Sequence, residues 1–244
     1  MNEEIYDSRE YESSVTYKAD NSPLTIADLE AHGIIVSGLE KFEIPVISEE
    51  GYIPSFEERK DWKQFWMVDP LDGTEKFLKR NEEFTINIAL IEDNHSVFGV
   101  IYLPVQKALY YGSSEGAFKQ AAGEAPQRIE VRKQADPHNL TAIVSRSHFS
   151  EEDRRFLEEN HIAHYLHIGS SIKFCIVAEG QVDVYCQSHG NMEWDTAAGQ
   201  TIVEAAGGRV LDRYRRDLRY NKSMLANGPY LCFGRAKCMK LMIF

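Results

Sequence analysis

A short apolar run, Phe65-Trp66-Met67-Val68, breaks directly into Asp69-Pro70-Leu71-Asp72-Gly73-Thr74. No other stretch constrains the fold as tightly. The run reads as a buried strand, and Pro70 with the Asp72-Gly73 pair forces a turn at its end. Two carboxylates are thereby delivered into one small volume, where like charges need a proton or a cation. Hard oxygen ligands favour Mg²⁺ or Mn²⁺ over zinc, and the amides of Gly73 and Thr74, where they open a helix, offer donors to a phosphate. Taken alone, the same dipeptides are also common turn formers.

Three more segments carry acids beside apolar runs. Ser48-Glu49-Glu50 follows the β-like run Ile44-Pro45-Val46-Ile47, and Trp194-Asp195-Thr196 stands where a small-residue helix begins. Asp28 lies three residues after Thr25, at the head of a helix expected over 25–41. The plainer roles are an N-cap for Asp195 and a first-turn acid for Asp28. Together, four such segments can converge on a metal cluster.

Alternation predicts a meander of strands at 84–91, 97–103 and 108–112, with a turn at Asp93-Asn94, followed by a loop at 121–127 that reads as a seam. Strands at 142–144 and 164–167 then flank a charged helix over 151–160. A helix over 170–179, a strand at 182–185 and a helix over 196–206 that stops at Gly207-Gly208 give the second half an α/β character.

A chain of 244 residues, 43% of them hydrophobic, can bury a core without disulfide staples. Cys175, Cys186, Cys232 and Cys238 form no C-x-x-C pair and read as reduced core thiols. With 27 Lys and Arg against 38 Asp and Glu, the net charge of −11 repels polyanions, so a nucleic acid polymer is not an expected partner. A small phosphorylated ligand can still be held inside a cleft. No apolar run reaches the ~18–20 residues that span a bilayer, and the acidic start lacks the features of a secretory signal, so a cytoplasmic location is expected. The basic run Arg209, Arg213, Arg215, Arg216, Arg219 and Lys222 reads as a solvated face or a dimer contact, ahead of an RNA or membrane-surface patch. Monomer and homodimer stay open, as does peripheral contact with the inner membrane.

Asp69-Pro70-Leu71-Asp72-Gly73-Thr74 paired with Trp194-Asp195-Thr196-Ala197-Ala198-Gly199 resembles the two signatures of the inositol monophosphatase superfamily, the magnesium-dependent, lithium-sensitive phosphomonoesterases. Lys18-Ala19-Asp20-Asn21-Ser22-Pro23, Ile44 to Glu50, Ser145-Arg146-Ser147-His148 and Ile168-Gly169-Ser170-Ser171-Ile172-Lys173-Phe174-Cys175 further resemble its CysQ-type branch, the bacterial 3'(2'),5'-bisphosphate nucleotidases. The resemblance runs from about Tyr6 to Phe233. It implies an α/β (α+β) fold, a layered αβαβα sandwich of the sugar-phosphatase type. The chain would form one unit over 1–244, with a metal-binding half, 1–135, and a substrate-reading half, 136–244.

By the same resemblance, two or three Mg²⁺ ions serve the reaction, with Mn²⁺ able to stand in and Li⁺ and Ca²⁺ inhibiting. Asp69 would bridge ions, with one of Glu49 and Glu50 and the Leu71 carbonyl at the first site, and Asp72 and Asp195 would complete the second. Thr74 and Asp28 match the pair that orients and deprotonates the attacking water. Gly73, Thr74, His148, Ser170, Lys173 and Asp195 fall at substrate-binding positions, and Arg146 offers a further phosphate fork. The implied reaction is hydrolysis of the 3'-phosphate of adenosine 3',5'-bisphosphate to AMP and phosphate, which clears a by-product of sulfate activation. One departure matters: Gln187 stands where relatives carry an Arg after the Val-Tyr strand, so either Lys173 or Arg146 supplies that charge or affinity for bisphosphates falls. The alternatives are an inositol or sugar monophosphate phosphatase and, from a different class, a non-catalytic nucleotide-bisphosphate sensor. A second departure is the stretch of about seventeen residues ahead of Lys18, short for the first helix of the relatives.

Overall fold

The computed structural model describes residues 15–18, 21–133, 136 and 139–234. Cys238 and the segment ahead of residue 15 lie outside them. In chain order the elements are β1 (Thr16–Tyr17), β2 (Pro23–Leu24), α1 (Ile26–Leu39), β3 (Val46–Ser48), α2 (Phe56–Arg59), β4 (Gln64–Asp72), α3 (Thr74–Leu78), β5 (Thr85–Glu92), β6 (His95–Leu103), β7 (Ala108–Ser113), β8 (Gly116–Ala121) and β9 (Gln127–Ile129). They continue with β10 (Thr141–Ser145), α4 (Glu151–Glu159), β11 (His164–Ile168), α5 (Ile172–Ala178), β12 (Val184–Gln187), β13 (Asn191–Met192), α6 (Ala197–Ala205), β14 (Arg209–Asp212), β15 (Ala226–Asn227) and β16 (Tyr230–Phe233).

Strands β3 to β9 form a seven-stranded sheet in sequence order, parallel at β3 and β4 and antiparallel beyond. A five-stranded sheet runs β11-β10-β12-β16-β14. Side chains alternate faces along a strand, so each sheet has two apolar surfaces to cover. On β4, Phe65 and Met67 face the central core, while Trp66 and Val68 pack with Ile35 and Leu39 of α1. On β12, Tyr185 faces the same central core, while Val184 and Cys186 pack with Phe156 and Leu157 of α4. Helices α5 and α6 fill the central layer, α6 lying on β6 and β7 of one sheet and on β14 of the other. The order is thus α1, sheet, α5 with α6, sheet, α4, the layered αβαβα sandwich that the resemblance implies.

Helix α1 starts where expected. Thr25 caps it with a reciprocal box to Asp28, and the helix closes at Leu39 with a 3₁₀ turn through Phe42. The stretch 121–127 is a loop, but it joins β8 to β9 within one sheet, so the sheet runs across the expected seam. The strand expected at 182–185 begins at Val184, because Asp183 turns aside to accept the Thr141 N–H and the Arg132 guanidinium. Cys175, Cys186 and Cys232 are buried free thiols. Three residues of the basic run are held in ion pairs, Arg209 with Asp217, Arg216 with Asp212 and Lys222 with Glu193. Among the described residues, no helix is long and apolar enough to cross a membrane.

Candidate active site

Pro70 has no N–H to give the sheet, and the ladder between β4 and β5 slips at this point. Asp69 pairs with Asn87 and Asp72 with Thr85, so three steps on β4 oppose two on β5. One extra residue reverses the facing of everything after it. Asp69 keeps the inward direction of Phe65 and Met67, and the bulge turns Asp72 inward as well, where it accepts the Ser171 N–H at the head of α5. The Thr85 hydroxyl reaches Asp72 at 3.4 Å. Ser171 Oγ is also tied to Thr85 Oγ1 and Asn87 Oδ1, each at 2.6 Å.

The end of β3 brings a second pair of acids. Lys18 bridges them, with Nζ 2.7 Å from Glu49 and 2.6 Å from Glu50. Asp195 arrives from the far side, at the start of α6. That helix sits unusually close to the sheet because β6 and β7 present a cross-strand glycine pair, Gly99 and Gly112. A Cβ at Gly99 would stand 2.4 Å from the Ala198 carbonyl oxygen, and one at Gly112 would stand 2.7 Å from Ile202 Cα. Ser96 Oγ donates to the Ala197 carbonyl at 2.7 Å and fixes the same end. Asp195 does not cap α6: its carboxylate accepts the Met192 N–H at 3.0 Å, and Thr196 is the residue at the cap position.

These placements bring carboxylate oxygens of Glu49, Asp69 and Asp195 within 4.8 Å of one another. Burial, and then the charges of Glu49, Asp72 and Asp195, hold the Asp69 carboxyl well above the usual carboxylate range. Burial and the charges of Asp72 and Glu49 do the same to Asp195. Such a set is strained as bare anions and relieved by a hard divalent cation with all-oxygen coordination, so the residues fit the ions expected. Of the two glutamates, Glu49 belongs to this trio, while Glu50 is the more enclosed partner of Lys18. The Leu71 carbonyl accepts the Thr74 hydroxyl at 3.3 Å.

Thr74 opens α3 behind Gly73, whose φ of 95° a side chain would resist. Its hydroxyl donates to Asp28 Oδ1 at 2.9 Å. Asp28 is fully buried and also accepts the N–H and hydroxyl of Thr25. Burial raises its carboxyl above the ordinary value against the pull of those hydrogen bonds.

Asp72 and Asp195 line a cleft of about 380 Å³. Ser170, Lys173, His148 and Gln187 line it too, so of the predicted substrate residues Asp195, Ser170, Lys173 and His148 share the cleft, while Gly73 and Thr74 are not among its lining residues. Lys173 is not a surface side chain. It is 6% exposed, donates to the Ser170 carbonyl at 2.6 Å and lies over the Tyr185 ring. Burial pushes it down to about 8, with Asp72 pulling the other way. Ser170 does not cap α5; it adopts a left-handed backbone at φ 49°, and Ser171 takes the cap position. His148 stands exposed at the rim. Arg146 is withdrawn from the phosphate role: its guanidinium is spent on both oxygens of Glu83, which also accepts the Gly169 N–H at 2.7 Å.

Sequence reasoning missed Ser171, Thr85, Asn87 and Lys76. Thr85 and Asn87 sit two apart on a predicted strand, so alternation puts them on one face; what they face depends on the bulge in β4, which spacing does not show.

The inositol monophosphatase family model matches residues 2–236. The 3'(2'),5'-bisphosphate nucleotidase CysQ of Salmonella typhimurium is 45% identical over 205 residues, covering 83% of this chain and 81% of that protein. CysQ of Escherichia coli K12 is 42% identical over 219 residues, covering 89% and 87%. The crystal structure of CysQ from Bacteroides thetaiotaomicron, described as a bacterial member of the inositol monophosphatase family, superposes with a TM-score of 0.82 at 40% identity, over 95% of this chain and 90% of that one. With both signature motifs joined in one acidic site and the similarity running nearly end to end, the chain belongs to the inositol monophosphatase family.

Proposed function

We propose that the protein is a magnesium-dependent phosphomonoesterase that hydrolyses the 3'-phosphate of adenosine 3',5'-bisphosphate to AMP and phosphate. The observation that carries this is the carboxylate trio of Glu49, Asp69 and Asp195 beside a cleft that Asp72, Asp195, Lys76 and Lys173 line together. The nucleotide comes from what the CysQ relatives are named for.

Glu49, Asp69 and the Leu71 carbonyl are assigned to one ion, and Asp72 and Asp195 to a second. Mg²⁺ held there supplies charge that acidifies an attacking water and offsets the anionic oxygens of the phosphate. The chain's own part begins at Thr74 Oγ1, which accepts the water proton while passing its hydroxyl proton to Asp28 Oδ1. A carboxyl raised by burial is suited to receive it. The Gly73 and Thr74 amides at the start of α3 orient the phosphate, and Ser170, Lys173 and His148 meet the rest of the nucleotide. Lys18 neutralises Glu50 and holds Glu49 in place. Mn²⁺ would stand in for Mg²⁺, and Li⁺ and Ca²⁺ would inhibit. A cytoplasmic enzyme, monomer or homodimer, clearing the by-product of sulfate activation fits this reading.

Gln187 favours a second reading, an inositol or sugar monophosphate phosphatase. It lies in the cleft, is neutral, and accepts the Tyr185 hydroxyl at 2.9 Å. Phosphate release from adenosine 3',5'-bisphosphate, with Mg²⁺ and with EDTA, beside inositol 1-phosphate at matched concentration, separates the two. Metal-dependent preference for the nucleotide is expected; preference for inositol 1-phosphate would transfer the assignment.

A further inference from the structure

A bisphosphate brings two phosphates, and the carboxylate cluster, with the ions it would hold, would account for one. With Gln187 neutral and Arg146 committed to Glu83, the other phosphate needs a cation from elsewhere. Lys173 is one, but its ammonium is buried and already donates to the Ser170 carbonyl. Lys76 is the other lysine that lines the cleft, and it comes from α3, directly after the Asp-Gly-Thr turn. It makes no ion pair or side-chain hydrogen bond among the described residues. Its Cε lies 3.3 Å from the position a Cβ would take on Gly169, so the absent side chain there gives the lysine passage over the Gly169-Ser170 turn.

We propose that Lys76, acting with Lys173, forms a second anion subsite that takes the non-scissile 5'-phosphate of the substrate and so supplies the charge that the neutral Gln187 does not. The proposal rests on the phosphatase reading above and adds its preference for two phosphates. After burial, Lys76 is the neighbour whose charge most disfavours protonation of His148, and it also disfavours the charge on Lys173. Cations crowded in a protein of net charge −11 are relieved when an anion enters between them. The Oε1 of Gln187 is occupied by the Tyr185 hydroxyl, which leaves its amide N–H groups as neutral donors in the same cleft. A monophosphate would leave the Lys76 and Lys173 charges without their anion, which is the physical basis for discrimination.

The test compares kcat/KM for adenosine 3',5'-bisphosphate with that for adenosine 3'-monophosphate, which lacks the second phosphate. In Lys76→Gln the ratio is expected to fall about tenfold, mostly through KM for the bisphosphate, and Lys76→Arg is expected to restore it. An unchanged ratio, or equal loss on both substrates, would overturn the subsite. A wild-type protein that shows no preference for the second phosphate would overturn it too, while leaving the phosphatase reading intact. If the wild type hydrolyses neither substrate, the phosphatase reading fails, and calorimetric binding of 5'-AMP still decides the subsite. Weakening of about tenfold in Lys76→Gln supports it, and equal affinity removes it.

Discussion

Asp72→Asn preserves the shape that receives the Ser171 N–H and the Thr85 hydroxyl but removes the charge proposed to hold the second ion. Turnover is expected to vanish while circular dichroism and the urea midpoint stay near wild type; an active variant would remove Asp72 from the metal set. Lys173 yields a prediction of opposite character. With its ammonium pushed down to about 8, it is charged below that pH and neutral above it. An anion is held only by the charged form, so kcat/KM should fall on the alkaline side, approaching tenfold per pH unit. Lys173→Arg, whose guanidinium stays protonated, should move that limb to higher pH. An unmoved limb in a pH profile from 6 to 10 assigns the titration to another group. Part of this was legible from residue type and spacing: the acid-bearing segments of Glu49, Asp69 and Asp195 do converge, whereas the pairing of Thr74 with Asp28 came from the resemblance. Lys76 and the Glu83–Arg146 pair were not legible, because their roles come from a cleft closed between segments more than sixty residues apart.

The small residues at the start of α6 let the helix settle on a sheet that has no side chains at two crossing points. Gly99→Ala must lift the helix away from the Ala198 carbonyl, at a cost of about 1–3 kcal/mol, and carries Asp195 with it. Urea titration should show the lower stability, and phosphate release should fall further than the stability loss explains. Gly33, inside α1, is the contrast: a Cβ there meets nothing within 4 Å, so Gly33→Ala should stabilise by about 0.5–1 kcal/mol. The meander strands β5 to β7 were readable because apolar and polar residues alternate. Strand β8, Gly-Ala-Phe-Lys-Gln-Ala, lacks that pattern and is held by its two neighbours. The bulge in β4 is signalled by Pro70, but its effect, turning Asp72 to the inner face, needs the partner strand to be known.

Across the whole molecule, the acidic site joins the head of α1, the ends of β3 and β4 and the start of α6. A cation shared by these segments ties elements that are otherwise held by separate apolar contacts. Saturating Mg²⁺, at about a hundred times its dissociation constant, should add about 2.7 kcal/mol and raise the thermal midpoint by roughly 5–10 °C over EDTA-treated protein. A midpoint indifferent to Mg²⁺ would mean that the carboxylates are stable without it. The layer order followed from the resemblance, whereas composition and periodicity by themselves reached only an alternating α/β second half.

The central position of α6 also has a consequence for synthesis on the ribosome. The seven-stranded sheet is complete once β9 has emerged, yet the helix that covers its inner face is translated more than sixty residues later, an interval on the order of ten seconds. Throughout that time the nascent chain displays the bare Gly99–Gly112 crossing with α6 not yet docked on it, and Ile101 and Tyr110 stay uncovered until α5 emerges. Translation speed through the intervening segment, and the chaperones that meet it there, should therefore govern how much of this protein reaches its folded state.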